Sequence, residues 1–231
     1  MDEETTLTTT GGEQSEELGL DEAYAVATPD DNRRLYAQWA DTYDSGFADT
    51  KGYVYHDQVA DEVIRHVDPE SSHPLVLDVG CGTGLVGQAL MARGLRTIHG
   101  IDLSAEMLGR ARLKTFDNAP VYVALMEADL TEKLNLADNT YDVVVSAGTF
   151  THGHLGPEPL HELIRIAAPR ANFIVGINSA HFAEFGFDDY LDHLRATNTI
   201  GAWTTVERPI YASSDTNNPD DNTLITQFQI T

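Results

Sequence analysis

The chain has 231 residues, of which 42% are hydrophobic, and it carries a formal net charge of −23. This length allows one sizeable core, and no apolar run approaches the roughly 18–20 residues that a membrane span needs. Binding to phosphate backbones depends mainly on Lys and Arg, of which there are 14 against 37 Asp and Glu, so we expect no nucleic-acid or membrane partner.

The first 70 residues predict a tail followed by a helical lid. Residues 1–20 are mostly Thr, Glu and Gly, a composition that predicts a disordered acidic tail. The start lacks the segments of a signal peptide and Cys81 has no second cysteine to pair with, so we expect a cytoplasmic protein. Two amphipathic patterns, centred on residues 34–44 and 55–67, predict lid helices within residues 21–70. The acidity, with only three lysines, also suggests salt adaptation.

From Pro74 onward, short Val- and Ile-rich segments alternate with helical patterns, which predicts an α/β fold with a parallel sheet covered on both faces. Strands are predicted at residues 75–79, 97–101, 121–125, 141–146 and 171–177. Helices are predicted at residues 85–93, 105–115, 158–168 and 188–196. Two further strands, at residues 202–208 and 223–230, flank a polar loop and are expected to close the sheet edge in antiparallel orientation.

The first predicted strand runs directly into three alternate glycines, Gly80, Gly82 and Gly84, and then into a helix. Glycines permit a sharp turn and a close ligand approach, and the following helix presents free N–H groups and the positive end of its dipole. We therefore predict a nucleotide-type cofactor site. Cys81 within this loop is expected to be a small packing residue that offers its backbone N–H to the ligand.

Residue spacing leaves two cofactors open. Gly82, Gly84 and Gly87 fit the dinucleotide fingerprint G-x-G-x-x-G, and Asp102 follows at the spacing of roughly 20 residues expected for a ribose-binding acid. This reading favours an NAD-linked oxidoreductase. Asp78, just before the glycines, instead suits a ligand with a cationic amine and no phosphate, such as S-adenosylmethionine.

Two more strand-end acids bear on the second interpretation. Asp102 can accept hydrogen bonds from both ribose hydroxyls. Asp129, followed by Leu130, is placed to hold an adenine amine and face. An acid at a strand end can also cap the next helix, so a structural role of Asp129 stays open. Three acids at the ends of three successive strands favour an adenosyl ligand without phosphates.

The run from Tyr36 to about Ile177 resembles the class I S-adenosylmethionine-dependent methyltransferases. The matching segments are YAQWADTYD (36–44), LDVGCGTG (77–84), GIDLS (100–104), EADL (127–130) and YDVVV (141–145). Residues 148–156 (GTFTHGHLG), followed by LHELIR, resemble the Williams–Beuren-region methyltransferase-like group, which implies a small-molecule acceptor. One departure is Pro169-Arg-Ala-Asn172 in place of the usual Pro-Gly-Gly turn.

The resemblance implies a Rossmann-like, seven-stranded, mostly parallel sheet whose last strand is antiparallel, with N-terminal helices closing over S-adenosylmethionine. A core at residues 75–177 is expected to bind the cofactor, and residues 178–231 to lie on the acceptor side. No metal is expected. The predicted cofactor-binding residues are Tyr36, Trp39, Tyr43, Asp78, Gly80, Cys81, Gly82, Gly84, Asp102, Leu103, Met107, Asp129, Leu130, Ser146 and Gly148.

The acceptor pocket is expected to be lined by residues 148–156, by the lid and by residues 179–190. His152 and His154 are candidates for a general base, with a loop cap or a metal pair as alternatives. The prediction is therefore an S-adenosylmethionine-dependent methyltransferase that acts on a small molecule by in-line displacement. The alternatives are an NAD-linked oxidoreductase and a non-catalytic binding protein with the methyltransferase fold.

Overall fold

The computed structural model describes residues 31, 33–35, 37, 40, 52–67, 73–151, 155–212 and 221–231. Several predictions fall outside the described residues: the tail at residues 1–20, most of the first lid helix, and the site residues Tyr36, Trp39, Tyr43, His152 and His154.

The described elements follow in chain order. They are α1 (Tyr55–His66), β1 (Leu75–Val79), α2 (Leu85–Ala92), β2 (Thr97–Asp102), α3 (Ala105–Leu113), β3 (Thr115–Phe116), β4 (Ala119–Pro120), β5 (Ala124–Glu127), β6 (Tyr141–Phe150), α4 (Pro159–Ile166), β7 (Ala167–Asn178), α5 (Ser179–Glu184), α6 (Phe187–Ala196), β8 (Thr204–Pro209) and β9 (Asn222–Gln229).

A seven-stranded sheet, in the order β5-β2-β1-β6-β7-β9-β8, organises the fold. The pairs from β5 to β7 are parallel, and β9 is antiparallel to both of its neighbours, β7 and β8. The predicted Rossmann-like sheet with an antiparallel last strand is thereby confirmed. Insertion of β9 beside β7 also distinguishes this sheet from the 3-2-1-4-5-6 order of the dinucleotide-binding fold.

The central strand β1 separates two hydrophobic clusters because alternate side chains of a strand point to opposite faces. Val76 belongs to the cluster covered by α1 and α2, whereas Leu77 and Val79 belong to the cluster covered by α4, α5 and α6. Val59 and Val63 of α1 are fully buried in the first cluster. The described second half of the expected lid is therefore a helix of the core.

Several predicted boundaries need correction. The strand expected at residues 141–146 runs on to Phe150, and the one expected at 171–177 begins at Ala167. The strand expected at residues 121–125 is observed at Ala124–Glu127, because the Val121 N–H donates to the Lys114 carbonyl (3.1 Å) beside the β3–β4 pair and not to β2. The helix expected at 105–115 ends at Leu113, since residues 115–116 pair with residues 119–120. The helix expected at 158–168 ends at Ile166, and β7 begins at once.

The segment that replaces the usual Pro-Gly-Gly turn lies within β7, where the pairing with β6 shifts register after Tyr141. Arg170 in this segment has a φ of +67°. This left-handed conformation is one that favours glycine, and here an exposed arginine adopts it. Among the described residues, no helix is both long enough and apolar enough to cross a membrane.

Candidate cofactor site

The glycine loop joins β1 to α2 and has the backbone form that only glycine adopts readily. Gly80 has a φ of +64° and Gly82 a φ of +52°, both in the left-handed region. A Cβ on Gly80 would lie 2.0 Å from Thr149 Oγ1, whereas a Cβ on Gly82 would meet nothing within 4 Å. Gly84 begins α2 as its N-cap residue. The loop is therefore packed at Gly80 and open at Gly82, where a ligand can approach the backbone.

Two hydroxyls of β6 fix the end of β1 beneath this loop. Ser146 Oγ and Thr149 Oγ1 both donate to the Val79 carbonyl, at 2.8 and 3.0 Å. Ser146 is fully buried and its hydroxyl supports the strand end; that it binds the cofactor stays a prediction. Thr149 was not predicted, and its only sequence signal is a hydroxyl residue close behind a predicted strand.

Asp102, at the end of β2, is tied to the glycine loop. Its Oδ2 accepts the Gly82 N–H (2.8 Å) and its Oδ1 accepts the Ser104 N–H (2.9 Å). Burial raises the pKa of Asp102, and these backbone N–H groups act in the opposite direction. A carboxylate offers about four acceptor positions, and three backbone N–H groups, of Gly82, Ser104 and Leu103, act on Asp102, which leaves acceptor capacity for a ligand.

The loop after β5 joins the same edge of the sheet. The Ala128 N–H donates to the Asp102 carbonyl at 2.9 Å, which brings Asp129 and Leu130 beside the end of β2. Asp129 Oδ1 accepts from the N–H and the hydroxyl of Thr131, at 2.8 and 2.6 Å. Asp129 therefore caps a turn, and Leu130 packs partly against the second hydrophobic cluster.

Asp78 lies beneath the loop and not on its surface, since its side chain is fully buried. Its Oδ2 accepts from the Tyr122 hydroxyl at 2.6 Å, and its Oδ1 has no hydrogen-bond partner among the residues that the structure describes. Burial raises the pKa of Asp78 to about 7, Tyr122 lowers it and the nearby charge of Asp102 raises it.

The expected role of Cys81 as an N–H donor to the ligand is wrong, because its N–H donates to the Ile101 carbonyl at 3.0 Å. Burial, followed by the charges of Asp102 and Asp78, raises the pKa of its thiol, which keeps the sulfur protonated and inert. Met107 is 1% exposed, and its N–H donates to Ser104 Oγ as part of the α3 cap; its contact with the cofactor stays a prediction. Leu103, between the end of β2 and Ser104, is half-buried.

Gly148, at the far end of β6, faces an aromatic cluster. It has a φ of +84°, and a Cβ there would lie 3.5 Å from the Tyr53 hydroxyl. The Tyr53 ring stacks on His56 with ring centroids 5.6 Å apart. Tyr55 is buried in the core. Its hydroxyl packs against Gly176, where a Cβ would lie 2.1 Å from the hydroxyl oxygen.

The segment 179–190 contributes buried aromatic side chains to the second hydrophobic cluster. Phe182 and Phe187 are buried, and Phe187 meets Phe150 edge-on with centroids 5.9 Å apart, whereas Phe185 is 45% exposed. His181 is fully buried, and its Nε2 lies 2.8 Å from the Leu155 carbonyl. Sequence reasoning missed this histidine, because nothing in its spacing indicates a long-range contact.

The strand order is that of the class I S-adenosylmethionine-dependent methyltransferase fold, and the open glycine loop and Asp102 lie together at one edge of its sheet. Clusters of three or more potential metal ligands do not occur in the described part of the chain. The acids meet at the carboxyl ends of parallel strands, which is where ligands bind in open α/β sheets.

Comparisons with known proteins agree with this class. The family described as "Methyltransferase domain" matches residues 76–170. Human methyltransferase-like protein 27 is 33% identical over 145 residues, which cover 60% of this chain and 56% of that protein. A malonyl-[acyl-carrier protein] O-methyltransferase of Halorhodospira halophila is 31% identical over 177 residues, or 75% of this chain and 52% of that protein.

Among solved structures, magnesium protoporphyrin IX methyltransferase from Synechocystis, with bound S-adenosylhomocysteine, superposes with a TM-score of 0.58 at 18% identity. The match covers 87% of this chain and 96% of that one, and it shows a shared fold. The chain spans about half the length of the curated relatives it matches. Residues 76–170 match a methyltransferase domain, and the chain has the fold of the class I S-adenosylmethionine-dependent methyltransferases, as its sequence motifs predict.

Proposed function

We propose that this chain transfers the methyl group of S-adenosylmethionine to a small-molecule acceptor. The observation that carries the proposal is the Asp102 carboxylate, whose two oxygens are held by the Gly82 and Ser104 N–H groups and retain acceptor capacity. It lies beside the open point of the glycine loop. A rigid pair of acceptors suits the two adjacent hydroxyls of a ribose.

The donor set fits an adenosyl ligand better than a dinucleotide. Asp78, Asp102 and Asp129 gather negative charge at one sheet edge, which opposes a pyrophosphate. The inserted strand β9 also departs from the dinucleotide-binding order. Residues 80–84, Asp102 and Asp129 would hold the cofactor, and the predicted residues Tyr36, Trp39 and Tyr43 are proposed to contact its methionine end.

The cofactor would supply a sulfonium methyl group, and the protein's part is positioning. Holding two reactants at contact contributes about 7–11 kcal/mol, whereas a general base adds about 10²–10⁴-fold. His152 and His154 therefore remain hypotheses for a base, and the proposed reaction does not require one. The similarity to a malonyl-[acyl-carrier protein] O-methyltransferase supports, for the acceptor, a small or carrier-bound molecule.

Binding of S-adenosylhomocysteine and of NAD to the purified chain tests this proposal by calorimetry and thermal unfolding. S-adenosylhomocysteine at about 100 times its dissociation constant is expected to stabilise the protein by about 2.7 kcal/mol. Asp102→Asn removes one acceptor oxygen and the charge, and a hydrogen bond to a charged group contributes about 1.5–3 kcal/mol. The variant should therefore bind about 10–100-fold more weakly.

Asp189→Asn is the matched control, because it makes the same charge change on the exposed surface of α6. It should bind S-adenosylhomocysteine like the wild type. Binding of NAD without binding of S-adenosylhomocysteine contradicts the proposed cofactor. Once the cofactor binds, a screen of small molecules, acyl-carrier conjugates and basic peptides for methyl incorporation tests the acceptor, and labelling of peptides alone contradicts a small-molecule acceptor.

A further inference from the structure

Tyr122 occupies the space beneath the glycine loop. It lies between β4 and β5 and is 8% exposed. A Cβ built on Gly84, Gly87 or Gly100 would come within 2.9, 2.5 or 3.0 Å of its side chain. Gly100 stands directly opposite Asp78 in the pairing of β2 with β1. Three positions around the cofactor loop therefore lack side chains where this one ring packs.

The hydroxyl of the same residue makes a specific polar contact, since it donates to Asp78 Oδ2 at 2.6 Å. Asp78 sits at the penultimate position of β1, two residues before the first glycine of the loop. Its other oxygen is buried without a hydrogen-bond partner among the described residues. Of the described side chains, Tyr122 is thus the one whose hydrogen bond orients the Asp78 carboxylate.

The groups around Asp78 come from four parts of the chain. Tyr122 and the Gly87 N–H in the first turn of α2 favour the ionised carboxylate, and the charge of Asp102 at the end of β2 opposes it. The Cys81 thiol lies in the same buried region and stays protonated. Burial opposes ionisation most strongly, so the pKa of Asp78 reaches about 7. The Tyr122 hydroxyl is therefore the side-chain donor that lowers the pKa of Asp78 and favours its charged form.

We propose that Tyr122 is a positioning residue of the cofactor site: its ring supports the glycine loop from beneath, and its hydroxyl keeps Asp78 in the orientation and charge state that favour a ligand with a cationic amine. The inference rests on the proposed function, because S-adenosylmethionine and S-adenosylhomocysteine carry such an amine. Tyr122 itself is buried and contacts the loop, so it acts through Asp78 and the glycines.

Affinity for S-adenosylhomocysteine, measured by calorimetry from pH 6 to pH 8.5, separates this role from simple packing. In the wild type, affinity should rise as the pH rises through about 7, because Asp78 loses its proton there. Tyr122→Phe keeps the ring but removes the donor, which raises the pKa of Asp78. The rise in affinity should therefore move to higher pH by about one unit.

Two controls locate the effect. Asp78→Asn removes the titrating group, so its affinity should be low and free of this pH dependence. 5′-Methylthioadenosine has the adenosyl group but lacks the cationic amine of the methionine part. Its affinity for wild type and Tyr122→Phe should therefore change little across the range. Thermal unfolding and near-ultraviolet circular dichroism of each variant establish that it is folded.

The outcomes are distinguishable. If the wild type binds S-adenosylhomocysteine but Tyr122→Phe has an unshifted pH profile, the inference is wrong and the proposed function stands. Retention of the wild-type pH dependence by Asp78→Asn overturns the inference in the same way, even if Tyr122→Phe fails to fold. Absence of S-adenosylhomocysteine binding by the wild type overturns the proposed function and this inference with it.

Discussion

The proposed cofactor side of the molecule (residues 78–84, 102–107 and 122–131) and its proposed acceptor side (residues 148–151, 155–156 and 179–190) are built by different means. On the cofactor side, backbone groups make the geometry: left-handed glycines, and N–H groups bound to Asp102. On the acceptor side, packed rings make it, such as Phe150 against Phe187. A site made by the backbone constrains residue types strictly, whereas a packed wall accepts many combinations of similar volume.

This difference predicts that substitutions on the cofactor side are the more costly. Gly80→Ala should have the largest effect, because the new Cβ would lie 2.0 Å from Thr149 Oγ1 and alanine would have to adopt a φ of +64°. The conformational cost of about 1–2 kcal/mol adds to an overpacking cost of about 1–3 kcal/mol. We expect the free energy of unfolding to fall by about 2–5 kcal/mol in urea denaturation.

Gly109→Ala is the matched control for this substitution. Gly109 lies within α3, and a Cβ there would meet nothing within 4 Å. Alanine should raise the free energy of unfolding by about 0.5–1 kcal/mol, since glycine destabilises a helix interior by that amount. Equal stability of the two variants would contradict the distinction between loop glycines and ordinary ones.

The same contrast explains how far the sequence predicts the molecule. The sheet, the glycine loop and Asp102 are predictable, because strand periodicity, left-handed glycines and strand-end acids are local features of the chain. Tyr122 and His181 are not, because their roles come from contacts with Asp78 and Leu155, 44 and 26 residues away. The misplaced strand at residues 121–125 has the same origin: Val121 and Tyr122 are buried against Gly87 of α2, ahead of the ladder that begins at Ala124.

On the acceptor side, His181→Phe should have an intermediate effect. Phenylalanine preserves contacts like the one with Phe185, whose centroid lies 4.2 Å from that of His181, but leaves the Leu155 carbonyl without its partner. An unpaired carbonyl costs about 1–3 kcal/mol, which should appear as lower stability and faster hydrogen exchange next to Leu155. Affinity for S-adenosylhomocysteine should stay close to that of the wild type. A loss of affinity as large as that of Asp102→Asn would show that the two sides are coupled.

The smallest effect is expected for the ion pairs that link the end of α2 to α1. Arg93, just after α2, donates to Asp61 and Asp57 of α1, at 2.7 and 2.9 Å. In a chain with a net charge of −23, its removal in Arg93→Gln leaves two acids repelling each other.

Exposed ion pairs contribute about 0.2–1 kcal/mol, and the screening length falls from about 10 Å in 0.1 M salt to about 3 Å in 1 M salt. The melting temperature of the wild type should therefore rise with KCl as repulsion is screened, and the deficit of Arg93→Gln should shrink. A deficit unchanged between 0.1 and 1 M KCl would mean that Arg93 acts by packing and by its bond to the Ala89 carbonyl.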